Sequence, residues 1–160
     1  MEGQVNIYFI LSTTLFVALV IYLIFNILDI YPIYIGSSQE DILYNKAFLV
    51  SEFLVKDSGY PKNWNENNFE RIGLAIEPFL LSSTKINEFL KICNSTNITK
   101  LHKMKESLSI IESLTIEINY INGTEIGYCS LGGLKIGKEG FIRRVAYLGN
   151  NFVEVIVHVG

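Results

Sequence analysis

The chain has 160 residues, 49% of them hydrophobic and only 18% charged, with 13 basic and 16 acidic side chains and a net charge of −3. So apolar a chain is not disordered, and 3 Pro and 12 Gly without a repeat period exclude collagen-like and low-complexity classes. The charge balance lacks the basic footprint of a nucleic-acid binder, and 2 cysteines are too few for a disulfide-dense mini-protein or a four-cysteine zinc site.

The mean hydropathy of +0.31 traces first to the N-terminal segment. No charged residue occurs from Gly3 to Leu28, and Ile7 to Leu28 is a run of 22 residues of which 15 are Leu, Ile, Phe or Val. As a helix this run is about 33 Å long, enough for a hydrocarbon core of about 30 Å. Its 15 large apolar residues favour insertion by roughly 5 to 9 kcal/mol, an upper bound, since positions near the ends count for less. Ser12, Thr13, Thr14 and Asn26 subtract from that sum without adding charge. A cleaved secretory signal is usually shorter and ends in small residues, whereas this run leads into Asn26-Ile27-Leu28-Asp29. A helix apolar on every side also needs a large protein to bury it, and about 130 residues cannot wrap it. The expectation is a membrane or filament-core helix.

The start, Gly3-Gln4-Val5-Asn6-Ile7-Tyr8-Phe9-Ile10-Leu11, resembles that of archaeal type IV pilin-like proteins, whose short leader ends in Gly and whose mature chain opens into an apolar helix. The resemblance implies a leader over 1–3, cut between Gly3 and Gln4 by a prepilin peptidase. It implies an assembly helix over 4–30, held in membrane lipid first and packed among other pilin subunits later, and an extracellular head over 31–160. Two positions depart from the pattern. Glu2 stands where the family has a basic residue, and Tyr8 stands where it has an acidic one. That carboxylate is thought to neutralise the α-amino group of a neighbouring subunit. A phenol offers no such charge, only a hydrogen bond, and Tyr8 also suits a plain interfacial anchor. The departure favours a minor or terminal subunit over the bulk component. No basic residue precedes Lys46, so charge barely signals topology, and the outward placement of the C-terminal part rests on the resemblance.

Further along, Pro32 and Gly36 predict a kink or break, with Tyr31 and Tyr34 at a membrane–water boundary. Ser37-Ser38-Gln39-Glu40 predicts a capping box opening a second helix to about Lys56, with Ile42, Leu43, Ala47, Phe48, Val50, Phe53 and Leu54 on a wide apolar face. Gly59 and Pro61 stop it. The stretch Gly59-Tyr60-Pro61-Lys62-Asn63-Trp64, with Ile72-Gly73-Leu74-Ala75 after it, also resembles a segment of archaeal pilin-like and surface-anchored proteins. Trp64 reads as a buried pin for the loop in preference to a ligand contact. Helical spacing predicts short helices over Thr84 to Cys93 (Ile86, Phe89, Leu90, Cys93 inward) and Thr99 to Ile111 (Leu101, Met104, Leu108, Ile111 inward). Alternation then predicts strands over Leu114 to Tyr120, Thr124 to Cys129, Phe141 to Leu148 and Phe152 to Val159, with hairpins at Asn122-Gly123 and at Gly149-Asn150-Asn151. Val153, Val155, Val157 and Val159 should face the core and Glu154 and His158 should face outward. The class is α+β: an N-terminal hydrophobic helix, further helices, and a C-terminal antiparallel sheet with one face on the second helix and edges free for neighbours.

Candidate chemistry is sparse. His102 and His158 lie on different elements without metal-ligand spacing, and no nucleotide, nucleophile-elbow or dinucleotide motif is present. The expectation is no metal, no cofactor, no catalytic residue and no nucleic-acid partner. Cys93 and Cys129 fit either one disulfide or two buried thiols, and an extracellular compartment favours the disulfide. Asn94, Asn97 and Asn122 open N-x-S/T sequons, a mild excess over chance, and are glycosylation candidates. Two functions follow: a structural subunit of a cell-surface pilus-like filament, or a permanently membrane-anchored extracellular receptor or adhesin.

Overall fold

The structure is a computed structural model that describes residues 7–133 and 137–160, without the side chains of 29–38. The Gly3 and Gln4 assignments therefore lie outside the described residues, as do the side chains of Tyr31 and Tyr34. The chain divides after Gln39 into two units.

The helical element α1 runs Ile7–Lys56. The expected break at Pro32 and Gly36 does not occur, and Ser37-Ser38-Gln39-Glu40 lies inside the helix instead of capping a new one. Proline removes one N–H and costs about 3 kcal/mol inside a helix. Strong helical segments on both sides tolerate that, because continuing a helix avoids a second costly nucleation.

In the second unit α1 contributes one buried face, which also takes in Ser51 and Val55. Leu43, Ala47, Val50 and Leu54, at steps of 4, 3 and 4, are 0–1% exposed. The face is narrower than the sequence predicts: Ile42 is 51% and Phe48 39% exposed. The Arg144 guanidinium lies 4.5 Å from the Phe48 ring centre, so an arginine covers this aromatic in place of the core. The same arginine reaches Glu52 at 2.6 Å and Ser51 Oγ at 3.3 Å.

After α1 come β1 (Ala75–Glu77), β2 (Leu80–Leu81), α2 (Ser83–Cys93), α3 (Ile98–Ser107), β3 (Leu114–Tyr120), β4 (Glu125–Leu131), β5 (Gly140–Leu148) and β6 (Asn151–Val159). The α+β class holds. The strands form one sheet in the order β1-β2-β5-β6-β3-β4. The four long strands pair antiparallel, but β2 joins β5 in parallel, so the sheet is mixed and not purely antiparallel. The short strands β1 and β2 escape the sequence pattern because a strand of two or three residues carries no readable alternation. Phe79, at φ 66°, turns the chain between them, and the Tyr147 N–H donates to its carbonyl at 2.8 Å.

Alternation in β6 places Val153, Val155, Val157 and Val159 at 0% exposure, as its period of two requires. They share a core with Ile116 and Ile118 of β3 and the α1 stripe. Gly140 opens β5 where a Cβ would lie 2.2 Å from the carbonyl carbon of Leu43, so only glycine allows this close approach. Helix α2 is capped by Ser82, whose side chain accepts from the Lys85 N–H, and α3 by Asn97, which accepts from the N–H groups of Thr99 and Lys100. Ile86 and Phe89 are buried as expected. Helix α3 is shorter than its pattern predicts: it ends at Ser107, and Ser109 at φ 57° turns Ile111 out to 66% exposure.

Candidate functional site

The first unit is the feature with the most functional content. Over Ile7–Leu28 the helix has a mean hydropathy of 2.5, and none of it is buried. Leu, Ile, Phe and Val side chains face outward on every side: Phe9, Leu11, Phe16, Leu19, Leu23 and Ile27 are each at least 50% exposed. A single helix of this kind near an N-terminus fits a membrane anchor or a signal sequence.

Its polar residues are partly self-satisfied. The hydroxyls of Thr13 and Thr14 donate to the carbonyls of Phe9 and Ile10, both at 2.8 Å. The Asn26 carboxamide donates to the Tyr22 carbonyl at 2.8 Å. Such bonds reduce the cost of placing hydroxyls and amides in hydrocarbon. Tyr8 projects from the first turn and is 81% exposed.

The head carries the remaining sequence-predicted positions on separate elements. Cys93, closing α2, is bonded to Cys129 of β4, with Cα atoms 5.5 Å apart. Among the described residues no free cysteine remains. The bridge fixes α2 to the sheet. Asn94 follows α2, Asn97 caps α3, and Asn122 lies in the β3–β4 turn, where its Oδ1 accepts from the Thr124 N–H at 3.0 Å. All three side chains are exposed. His102 faces Glu106 along α3 at 3.4 Å, while His158 packs on the Phe141 ring at 4.8 Å. Among the described residues no three metal-ligating side chains converge.

The Gly-Tyr-Pro-x-x-Trp stretch has a structural explanation. Trp64 is 3% exposed, and its indole N–H donates to the Gly73 carbonyl at 3.0 Å. Gly59, at φ 76°, lies under the indole, where a Cβ would sit 2.5 Å from the ring. Gly73 in turn packs against the Asp57 carbonyl, which a Cβ would meet at 2.3 Å. The two glycines and the tryptophan form a single closure that pins the loop after α1. Trp64 is thus a loop pin.

Three ionisable groups that the sequence did not single out hold the same unit together. Lys85 donates to the carbonyls of Ser58 (2.5 Å) and Ala75 (2.8 Å), tying α2 to the loop. Burial pushes its pKa down, Asp57 opposes that, and Lys62 adds to the lowering. Lys105 donates to the carbonyls of Ile111 and Gly132, each at 3.0 Å; burial lowers its pKa against the pull of Glu112. Glu112 is 4% exposed and pairs with Lys46 at 2.5 Å. Burial works against its ionised form, but the Lys46 hydrogen bond and charge, with the backbone N–H groups of Glu112 and Ile111, outweigh it and hold the carboxyl below its ordinary value. No sequence motif marks these residues, because each partner is a backbone carbonyl or a side chain far along the chain.

Comparison of the chain with family models, with curated proteins and with solved structures returned no match. The functional reading therefore starts from the layout itself: a long N-terminal apolar helix followed by an α+β unit, which fits both a pilin-like protein and a membrane-anchored domain.

Proposed function

We propose that the chain is a structural subunit, of the minor kind, in a type IV pilus-like filament of the archaeal pattern. The observation that carries this reading is the single helical element that joins an unburied 22-residue apolar segment, Ile7–Leu28, to the stripe Leu43-Ala47-Val50-Leu54 in the core of an α+β head. In this reading a prepilin peptidase cuts between Gly3 and Gln4, and the helix anchors the subunit in the cell membrane with the head outside. The same helix then buries its apolar surface among other pilin subunits. The head forms the outer layer, glycosylated at one or more of Asn94, Asn97 and Asn122. The role is mechanical: it calls for no catalytic residue, cofactor or nucleic acid in this chain.

The experiment is the mass of the N-terminal peptide of the native protein. A chain beginning at Gln4 supports the filament reading. An intact Met1 contradicts it and favours the second reading, a permanently anchored extracellular receptor or adhesin. Two observations favour that second reading: Glu2 in place of a basic residue, and Tyr8 in place of a carboxylate. The filament reading also expects Tyr8→Glu to raise incorporation along the filament, because a buried carboxylate can pair with a neighbour's α-amino group. Equal incorporation of both forms would remove Tyr8 as the reason for a minor role.

A further inference from the structure

On a helix of 100° per residue, Tyr8, Ser12, Leu15, Leu19, Tyr22 and Asn26 follow steps of 4, 3, 4, 3 and 4 and fall within an arc of about 80°. Four of the six polar or hydroxyl-bearing residues of Ile7–Leu28 lie on this one seam. The other two, Thr13 and Thr14, project from other sides, and their hydroxyls are already bonded to the helix's own carbonyls. The seam residues are different. Among the described residues the hydroxyls of Tyr8, Ser12 and Tyr22 make no hydrogen bond, and Asn26 uses only its N–H side, toward Tyr22. A tyrosine hydroxyl stands too far from its own backbone to bond back as a threonine does. The hydrogen-bonding capacity left open along this span is thus gathered on one line about 27 Å long, with Leu15 and Leu19 at its middle.

We infer that this seam is a self-association surface, and that its occupant is the same seam of a second copy of the chain lying parallel in the membrane. The inference rests on reading Ile7–Leu28 as a helix that resides in lipid. Lipid tails offer neither donors nor acceptors, so the open groups gain partners only from another helix. A second copy inserted in the same direction brings Ser12 opposite Ser12 and Asn26 opposite Asn26 at equal depth. There the carboxamide of one chain donates to the Oδ1 of the other, an isologous arrangement in which each patch complements itself. The alternating steps of 4 and 3 are those of a left-handed pair crossing at about 20°. Leu15 and Leu19 then interdigitate between the two polar ends of the seam, where packing alone holds the pair.

The test uses the full-length chain in phosphatidylcholine vesicles, with single cysteines added at Leu15, Leu19, Val17 or Ile24 and mild oxidation between copies. Flotation with the vesicles is measured first. The expected result is efficient cross-linking from Leu15→Cys and Leu19→Cys and several-fold less from Val17→Cys and Ile24→Cys, which lie on the far side. Asn26→Leu should weaken dimerisation roughly threefold in an energy-transfer titration, the size typical of one interhelical hydrogen bond. Cross-linking that is equal at all four positions, or strongest at Val17 and Ile24, overturns the inference while leaving the membrane reading intact. A chain that floats yet stays monomeric at high protein-to-lipid ratio does the same. A chain that does not float overturns both.

Discussion

Two stretches of the same helical element handle apolar residues in opposite ways. In Ile7–Leu28 the apolar side chains point in every direction and none of the segment is buried, whereas between residues 40 and 56 the buried positions, Leu43, Ala47, Val50, Ser51, Leu54 and Val55, keep to one side of the helix. The second stretch makes its core with a sheet and pairs Glu52 with Lys56, four residues on, at 2.5 Å. The first carries no charged side chain at all. Composition alone marks the first as long and apolar enough to cross a membrane, while only periodicity marks the second as one side of a folded unit. The contrast implies separable energetics. Changes in the head should alter folding without altering membrane partition, and changes in the span should do the reverse.

The largest expected effect is on the head. Replacing Cys93 and Cys129 by serine frees a loop with a sequence separation of 36 residues and should cost about 4 kcal/mol of head stability by loop entropy. Thermal melting in detergent reads the loss, and flotation should not change. A head whose melting is indifferent to reductant would contradict the structural role of the bridge. Next, Leu19→Lys places a charge near the middle of the span and should weaken insertion by about 3 kcal/mol, with the head's melting temperature unchanged. If both observables moved together, the two stretches would not be energetically separate.

A smaller loss is expected from Trp64→Phe. It keeps the ring against Gly59 but removes the bond to the Gly73 carbonyl, so about 2 kcal/mol should be lost. Melting that matches the parent would show that packing alone pins the loop. The smallest effect is Glu112→Gln, about 1 kcal/mol, because Lys46 is 30% exposed and regains water when unpaired. The sign of its pH dependence is fixed. The Glu112 carboxyl lies below its ordinary value of 4.5 in the fold, so its contribution is fully present above that value and is lost as pH falls through the folded one. The variant should therefore lose part of the acid-side decline in stability; an unchanged acid limb would assign that decline to other carboxylates.

Much of this contrast was legible in the sequence, and what was not has a common cause. The apolar run, the alternating valines of β6 and the Asn122-Gly123 turn are local patterns, each carried by neighbouring residues. The continuity of α1 through Pro32 is not legible from the local breaker, because it depends on the helical segments on either side. Helical spacing puts Ile111 inward only if the helix continues past Ser107, and Ser109 turns the chain before that. Strands β1 and β2 and the clamps at Lys85, Lys105 and Glu112 depend on partners distant in sequence, for which residue type and spacing give no sign. The role of Gly59 and Gly73 under Trp64 lies between these cases. The pattern was visible as a motif, but its reason, the close approach of backbone and indole, appears only in three dimensions.

The most direct test is the intact mass of the native protein extracted from cell membranes after an alkaline wash. The account expects a washed-membrane species whose mass includes the whole of Ile7–Leu28. A mature chain that begins beyond Leu28, recovered in the wash, would make the segment a discarded signal and contradict the account.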